Sequence, residues 1–167
     1  MGSSSCYSSP SVPGDSPGAM LKDASHSNRF FDWPEERMNL AGFTSLLSAG
    51  EKTSGCQLAN PDAVALANLH FPSRAYCLVA DWAILDIEVT TRQRKAITDR
   101  GLIPALVYAL TVIQDSKGRF PTGDWIRTTL AVSFTHGCLF ETKNTIYVLM
   151  GFGRRLRTDL DIALSLC

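Results

Sequence analysis

Three residues of this chain have the order and spacing of a divalent-metal nuclease site. Asp124 precedes a predicted strand, and Glu141 lies two residues before Lys143 on a later one. In such a site two carboxylates hold the metal ion and the lysine positions the attacking water. The spacing also arises by chance, and Asp115-Ser116-Lys117 repeats it. A metal-dependent nuclease using Asp124, Glu141 and Lys143 is therefore the alternative to a function without catalysis.

Three cysteines and two histidines are further candidates for chemistry. His136-Gly137-Cys138 contains the residue types of a thiol nucleophile and its base. Neighbours across a tight turn seldom align for catalysis, so we expect Cys138 to be a buried structural thiol. Cys56, His70 and Cys77 lack the short paired spacings of a structural zinc site. The five cysteines contain no C-x-x-C pattern, which indicates reduced thiols in a cytoplasmic protein without a metal or another cofactor.

The chain also contains candidate binding residues. Gly151-Phe152-Gly153 followed by two arginines could cradle a phosphate, but the loop does not join a parallel strand to a helix, as the phosphate-binding fingerprint requires. We expect this loop to end a strand and its arginines to form a small surface for anionic contacts. Two tryptophans each follow an aspartate where a predicted strand begins, and there an indole is a core anchor or an exposed binding residue. The predicted binding residues are Trp82, Trp125, Arg127, Arg154 and Arg155.

A β-hairpin is the element that would position most of these side chains. Alternation over residues 126–134 predicts a strand with one buried face. A two-residue connection would place buried aliphatic residues opposite charges. A three-residue connection with Gly137 in the left-handed conformation avoids this and leaves Glu141 in water, on the face of Ser133. The pairs that it predicts are Phe134 with Cys138 and Val132 with Phe140.

Capping residues, periodicity and turn signals predict the other elements. Asn60-Pro61-Asp62 predicts a capped helix that ends near His70, and Thr91 predicts the cap of a short charged helix that ends at Gly101. Residues 146–150 are apolar without alternation, which indicates a strand covered on both faces. Further predictions are a helix from about residue 32 to residue 50, a loop over residues 51–58, and strands over residues 77–79, 82–89 and 106–114.

Helices early in the chain and strands late favour an α+β fold with a mainly antiparallel sheet of about five strands and two to three helices. Residues 1–28 are rich in Ser, Pro and Gly and poor in apolar side chains, so we expect a disordered tail. A single domain over residues 30–160 then contains the core. Met20 and Met38 are alternative starts of translation beside Met1.

The charge balance makes some partners less expected than others. The chain has 16 basic and 16 acidic residues. Nucleic-acid binders usually have a basic surplus, so we do not expect a nucleic-acid partner. The longest uncharged run, residues 101–114, is too short to span a membrane and contains Pro104. Another protein is therefore the expected partner.

Three segments are similar to known sequences: RAYCLVADWAILDIEV, RGLIPALVYALTVIQDSKGRF and GDWIRTTLAVSFTHGCLFETKNTIYVLMG. They resemble a family of small uncharacterised bacterial proteins, some of them phage-associated. The resemblance covers about residues 60–155, and its most specific parts are GDWIRTTLAVSF and GCLFETKNTIYVL. It implies a bacterial or prophage origin and an intracellular setting, without an activity. The function is predicted from other features: the charge balance, the lack of a metal-site spacing and of a catalytic triad, and a solvent-facing side of the sheet with Arg127, Thr129, Glu141 and Lys143. Together they predict a non-enzymatic protein-interaction or regulatory module.

Overall fold

The computed structural model describes residues 44–45 and 48–165, all within one compact unit. The predicted tail over residues 1–28 and the predicted helix start near residue 32 lie outside the described residues. Thr44, Ser45, Ser48 and Ala49 are helical, where the sequence predicts the end of that helix. No described helix is long and apolar enough to cross a membrane.

Three helices follow within the described part of the chain: α1 (Asn60–His70), α2 (Thr91–Thr98) and α3 (Leu160–Ser165). The predicted end of α1 at His70 is confirmed, but the predicted cap is wrong by one residue, since Ala59 occupies the N-cap position and Asn60 is already helical. In α2 the cap is Thr90, one residue before the predicted one. Gly101 has φ +69°, the left-handed conformation predicted for it.

The strands of the described residues form one curled, mixed sheet of eight, so the predicted mainly antiparallel sheet of about five strands is wrong. The predicted loop at residues 51–58 contains a strand, and a further strand follows Gly151. The strands are β1 (Glu51–Ser54), β2 (Tyr76–Glu88), β3 (Ala105–Asp115), β4 (Ile126–Arg127), β5 (Ser133–Thr135), β6 (Leu139–Glu141), β7 (Ile146–Leu149) and β8 (Phe152–Asp159).

The long strand β2 organises the sheet. Along one edge it pairs antiparallel with β3. Along the other edge its first part pairs parallel with β7 and its second part pairs parallel with β8. The change of partner occurs around Asp81 and Gly151, which have φ +52° and +66°. The two parallel pairings join segments about seventy residues apart, which no local sequence signal specifies.

The sheet also closes on itself through residues 126–135. Their first part pairs with β3, and Ala131 continues this pairing by donating to the Ala105 carbonyl over 2.9 Å. Val132 then donates to the Glu141 carbonyl over 2.7 Å, and β5 pairs with β6. Since β6 pairs with β7 and β7 with β2, the pairings form a closed circuit. The single alternating strand predicted over residues 126–134 is therefore broken, because it serves two neighbours in turn.

The hairpin connection has the predicted length but a different position. His136-Gly137-Cys138 forms the loop, with Gly137 at φ +67° as predicted. The predicted pairs of Phe134 with Cys138 and Val132 with Phe140 are wrong, since Phe134 pairs with Phe140 and Ser133 with Glu141. The shift of two residues preserves the faces, so Glu141 still shares its face with Ser133.

Three apolar clusters hold these elements together. The inner cluster is enclosed by the closed circuit and contains Trp82, Phe140 and Tyr147. A second cluster lies under α1, and β7 contributes Ile146 and Val148 to it. All four residues of β7 are buried, which confirms the strand predicted to be covered on both faces. A third cluster lies under α3 and includes Leu130, whereas the next residue, Ala131, packs in the inner cluster.

Thr90→Ala tests whether α2 depends on its cap. The Thr90 hydroxyl accepts from the Gln93 amide, and the Gln93 side chain accepts from the Thr90 amide. The described side chains of α2 include none that is buried, so the helix depends on local bonds more than on packing. We expect a loss of about 1 kcal/mol, seen as roughly fivefold faster amide hydrogen exchange in α2. Thr91→Ala, the same change one residue later, should leave the exchange nearly unchanged.

Candidate functional site

A groove lies between the end of β2, β8 and α2. It encloses about 580 Å³, a volume within the usual range for ligand sites. We call it the β2–α2 groove. Its lining comprises Asp86, Ile87, Glu88, Val89, Arg94, Ile103, Pro104, Arg155 and Arg157.

One arginine of the groove is held in place. Arg155 donates to both carboxylate oxygens of Asp86, over 2.7 and 3.0 Å. Its guanidinium carbon also lies 6.0 Å from the centre of the Phe134 ring. The hydrogen bonds to Asp86 raise the pKa of Arg155 above its usual value. The side chain is therefore a fixed cation, in the fork geometry that suits carboxylate recognition.

The other two arginines of the groove are available to a ligand. Among the described residues, the side chains of Arg94 and Arg157 take part in no ion pair. Arg94 lies on α2 and Arg157 on β8, so they approach the groove from two walls. Ile103 adds an apolar side chain that is 43% exposed. The groove can thus bind an acidic group beside an apolar one.

The predicted arginine cluster is divided between the two faces of β8. Arg155 lies beside Ile84, which belongs to the inner cluster. Arg154 lies beside Ala83, which belongs to the cluster under α3. Successive strand residues point to opposite faces, so the two arginines cannot share one surface.

The two predicted tryptophans lie in different environments. Trp82 is fully buried, and its indole Nε1 donates to the Met150 carbonyl over 2.9 Å. Trp125 is 43% exposed just before β4. Arg127 lies in β4, half-buried and opposite Tyr108. Neither Trp125 nor Arg127 lines the groove.

The three residues of the nuclease alternative lie in different surroundings. Glu141 pairs with Arg74 over 3.3 Å and accepts from the Ser133 hydroxyl over 2.8 Å. Its side chain is only 15% exposed, so the expectation that it lies in water is wrong, because Arg74 covers it. Asp124 and Lys143 are exposed. In the part of the chain that the structure describes, no three His, Cys, Asp or Glu side chains could hold a metal ion together.

Cys138 and His136 lie in different surroundings. Cys138 is buried under α1, and burial, with a smaller contribution from Cys56, raises its pKa to about 12. The thiol is therefore protonated at neutral pH and a poor nucleophile. His136 stacks instead on His70, with 3.8 Å between ring centres. This arrangement agrees with Cys138 as a buried structural thiol.

A buried carboxylate stabilises the turn after β3. Asp115 has no exposed side-chain surface, and Arg119 donates to it from its backbone amide over 2.6 Å and from Nη2 over 2.6 Å. A further guanidinium nitrogen of Arg119 donates to the Thr145 hydroxyl over 2.8 Å. The sequence analysis identified this stretch as a turn but did not find the ion pair. The spacing of four residues across a turn is its only local signal.

A second, smaller cavity lies where β2 changes partner. It encloses about 390 Å³, and we call it the Asp81 cavity. Its lining comprises Thr44, Ser48, Lys52, Asp81, Trp82, Leu110, Gly153 and Arg154. Sequence reasoning missed it because β1 and β8 were not predicted as strands.

Comparison with known proteins identifies a family. A model described as a domain of unknown function, DUF6957, matches residues 53–165. The chain belongs to this family. The DUF6957 match contains the whole segment on which the sequence resemblance rests, and every residue of the β2–α2 groove. No curated protein and no solved structure matches the chain.

Proposed function

We propose that this chain is a non-enzymatic protein-interaction module that binds an acidic segment of another protein in the β2–α2 groove. The observation that supports this most is the pair Arg94 and Arg157, two cations on separate walls without an ion pair among the described residues. Arg155, fixed by Asp86, adds a third cation to the same groove. Partner carboxylates would complete this set of charges.

The other residues of the groove favour a peptide over a nucleic acid. Asp86 and Glu88 line it together with the arginines, so an evenly charged string of phosphates would meet both signs of charge, whereas a peptide can space its carboxylates to meet the arginines alone. A peptide can present carboxylates to the arginines and an aliphatic side chain to Ile103. Such mixed polar and apolar recognition is usual for protein interfaces.

The proposed setting is the cytoplasm of a bacterium, with a chromosomal or prophage origin. The sequence resemblance supports the bacterial and phage association. Cys56, Cys77 and Cys138 are all buried and free, which suits a reducing compartment. A regulatory role through occupation of the groove follows from binding without catalysis.

A charge-reversal experiment tests the groove. A fluorescent peptide of alternating glutamate and leucine should bind the wild-type chain, measured by anisotropy at low salt. Arg94→Glu combined with Arg157→Glu should weaken binding about tenfold, since each partly exposed charge pair contributes up to about 1 kcal/mol. Arg92→Glu, the same change on the same helix outside the groove, is the matched control.

Two outcomes of this experiment would contradict the proposal. Equal peptide affinity in the double variant and in Arg92→Glu would show that the groove is not the binding surface. Tighter binding of an unstructured DNA oligonucleotide than of the peptide, lost on the same double change, would replace the protein partner by a nucleic acid. Circular dichroism of each variant checks that the fold is retained.

A further inference from the structure

The Asp81 cavity contains two cations that face each other without an anion between them. Lys52 and Arg154 are direct partners in the antiparallel pair of β1 and β8. Like charges directly opposite each other destabilise a sheet. Both side chains line the same cavity, and neither takes part in an ion pair among the described residues. An anionic group in the cavity would relieve this repulsion.

Each of the two cations keeps donors for such a group. The Lys52 ammonium lies 4.4 Å from the centre of the Phe152 ring, a contact that uses none of its hydrogen-bond donors. One guanidinium nitrogen of Arg154 donates to the Gly50 carbonyl over 3.1 Å. The fork of Arg154 has further donors, which can bind a carboxylate.

Asp81 supplies the opposite charge in the wall of the same cavity. Its φ of +52° is uncommon outside glycine, and such conformations persist where the surrounding structure or a function requires them. One carboxylate oxygen accepts from the Thr111 hydroxyl over 3.1 Å. No cation of the described residues lies within ion-pair distance of Asp81. The carboxylate therefore remains available to a cationic group.

We propose that the Asp81 cavity binds a small zwitterion of the amino-acid type. Its carboxylate would lie between Lys52 and Arg154, and its ammonium group would lie against Asp81. Leu110 forms the apolar part of the wall and would contact its side chain, while Trp82 behind the wall is fully buried. The cavity of about 390 Å³ accommodates a molecule of this size. The site is separate from the β2–α2 groove and does not depend on the function proposed for it.

Three related probes separate the two charges of the ligand. Phenylalanine has both, phenylpropanoate lacks the ammonium group, and phenethylamine lacks the carboxylate. Isothermal titration should show binding of phenylalanine to the wild-type chain, and at least tenfold weaker binding of each of the other two. Lys52→Gln should weaken phenylalanine and phenylpropanoate together. Asp81→Asn should weaken phenylalanine about tenfold and leave phenylpropanoate unchanged.

The variants are chosen so that folding does not obscure the result. Asparagine tolerates the left-handed conformation of Asp81, and Lys52 is exposed in a short edge strand. Lys117→Gln, on an exposed turn outside the cavity, is the control for loss of a lysine charge. Absence of binding by all three probes, or equal affinities for phenylalanine and phenylpropanoate, would overturn the proposal.

Discussion

Gly153→Ala is expected to destabilise the protein by about 3 kcal/mol. A Cβ atom at this position would lie 2.2–2.5 Å from three ring atoms of Trp82. The indole cannot withdraw easily, because it is fully buried and its Nε1 donates to the Met150 carbonyl. Urea unfolding followed by circular dichroism measures the change.

Two comparisons show whether the indole is the cause. Gly118→Ala places its Cβ in open space at a φ of +62°, so it should cost only the backbone strain of about 1 kcal/mol. Trp82→Leu removes the ring, and in that background Gly153→Ala should cost less than about 1 kcal/mol. An equal cost of Gly153→Ala in both backgrounds would locate the strain elsewhere.

Local signals were sufficient for the helices and turns. A proline beside Asn60 and a glycine at residue 101 act through the conformation of one or two residues. Such effects depend on neighbours in sequence, so α1, α2 and the turn after β3 could be predicted to within about two residues.

The sheet required information that is not local. β7 and β8 pair with β2 although they lie about seventy residues later in the chain. Along β2 the neighbour on this edge changes from β7 to β8. β1 is polar and short, so its residues look like a loop until Gly153 and Arg154 are placed beside them. Residues 126–135 alternate as one strand would, but they are divided between β3 and β6.

The candidate sites followed the same division. The sequence identifies the arginines after Gly151, but not that they lie in a strand. Because they are neighbours in β8, Arg155 lines the β2–α2 groove and Arg154 lines the Asp81 cavity. Glu141 was assigned to water because its partner Arg74 lies 67 residues earlier. Arg94 was missed because a charged helix predicts only an exposed face, without indicating which groove it borders.

Asp115→Asn is expected to cost about 2 kcal/mol at neutral pH. The carboxylate is fully covered and accepts three charge-assisted or backbone bonds from Arg119. Removing one partner of a fully buried ion pair costs more than this value. Here the Arg119 side chain is 35% exposed, so water compensates part of the loss. Urea unfolding of the two proteins at pH 7 gives the difference.

The pH dependence of that difference has a definite sign. Burial by itself raises the pKa of Asp115, but the hydrogen bonds and the charge of Arg119 outweigh it and hold the pKa below its usual value. A depressed folded-state pKa stabilises the protein fully above the unfolded value of about 4, and the stabilisation is lost as the pH falls through the folded value. The wild-type advantage over Asp115→Asn should therefore shrink between pH 5 and acid conditions, to about half or less.

Asp99→Asn is the matched control, because its pair with Lys95 is exposed on both sides and should contribute less than about 0.5 kcal/mol at any pH. If the Asp115→Asn difference stayed constant from neutral to acid pH, the contribution of Asp115 would come from its shape and not from its charge. In that case the charge of Asp115 would not be needed to hold Arg119 between the end of β3 and Thr145, the residue before β7.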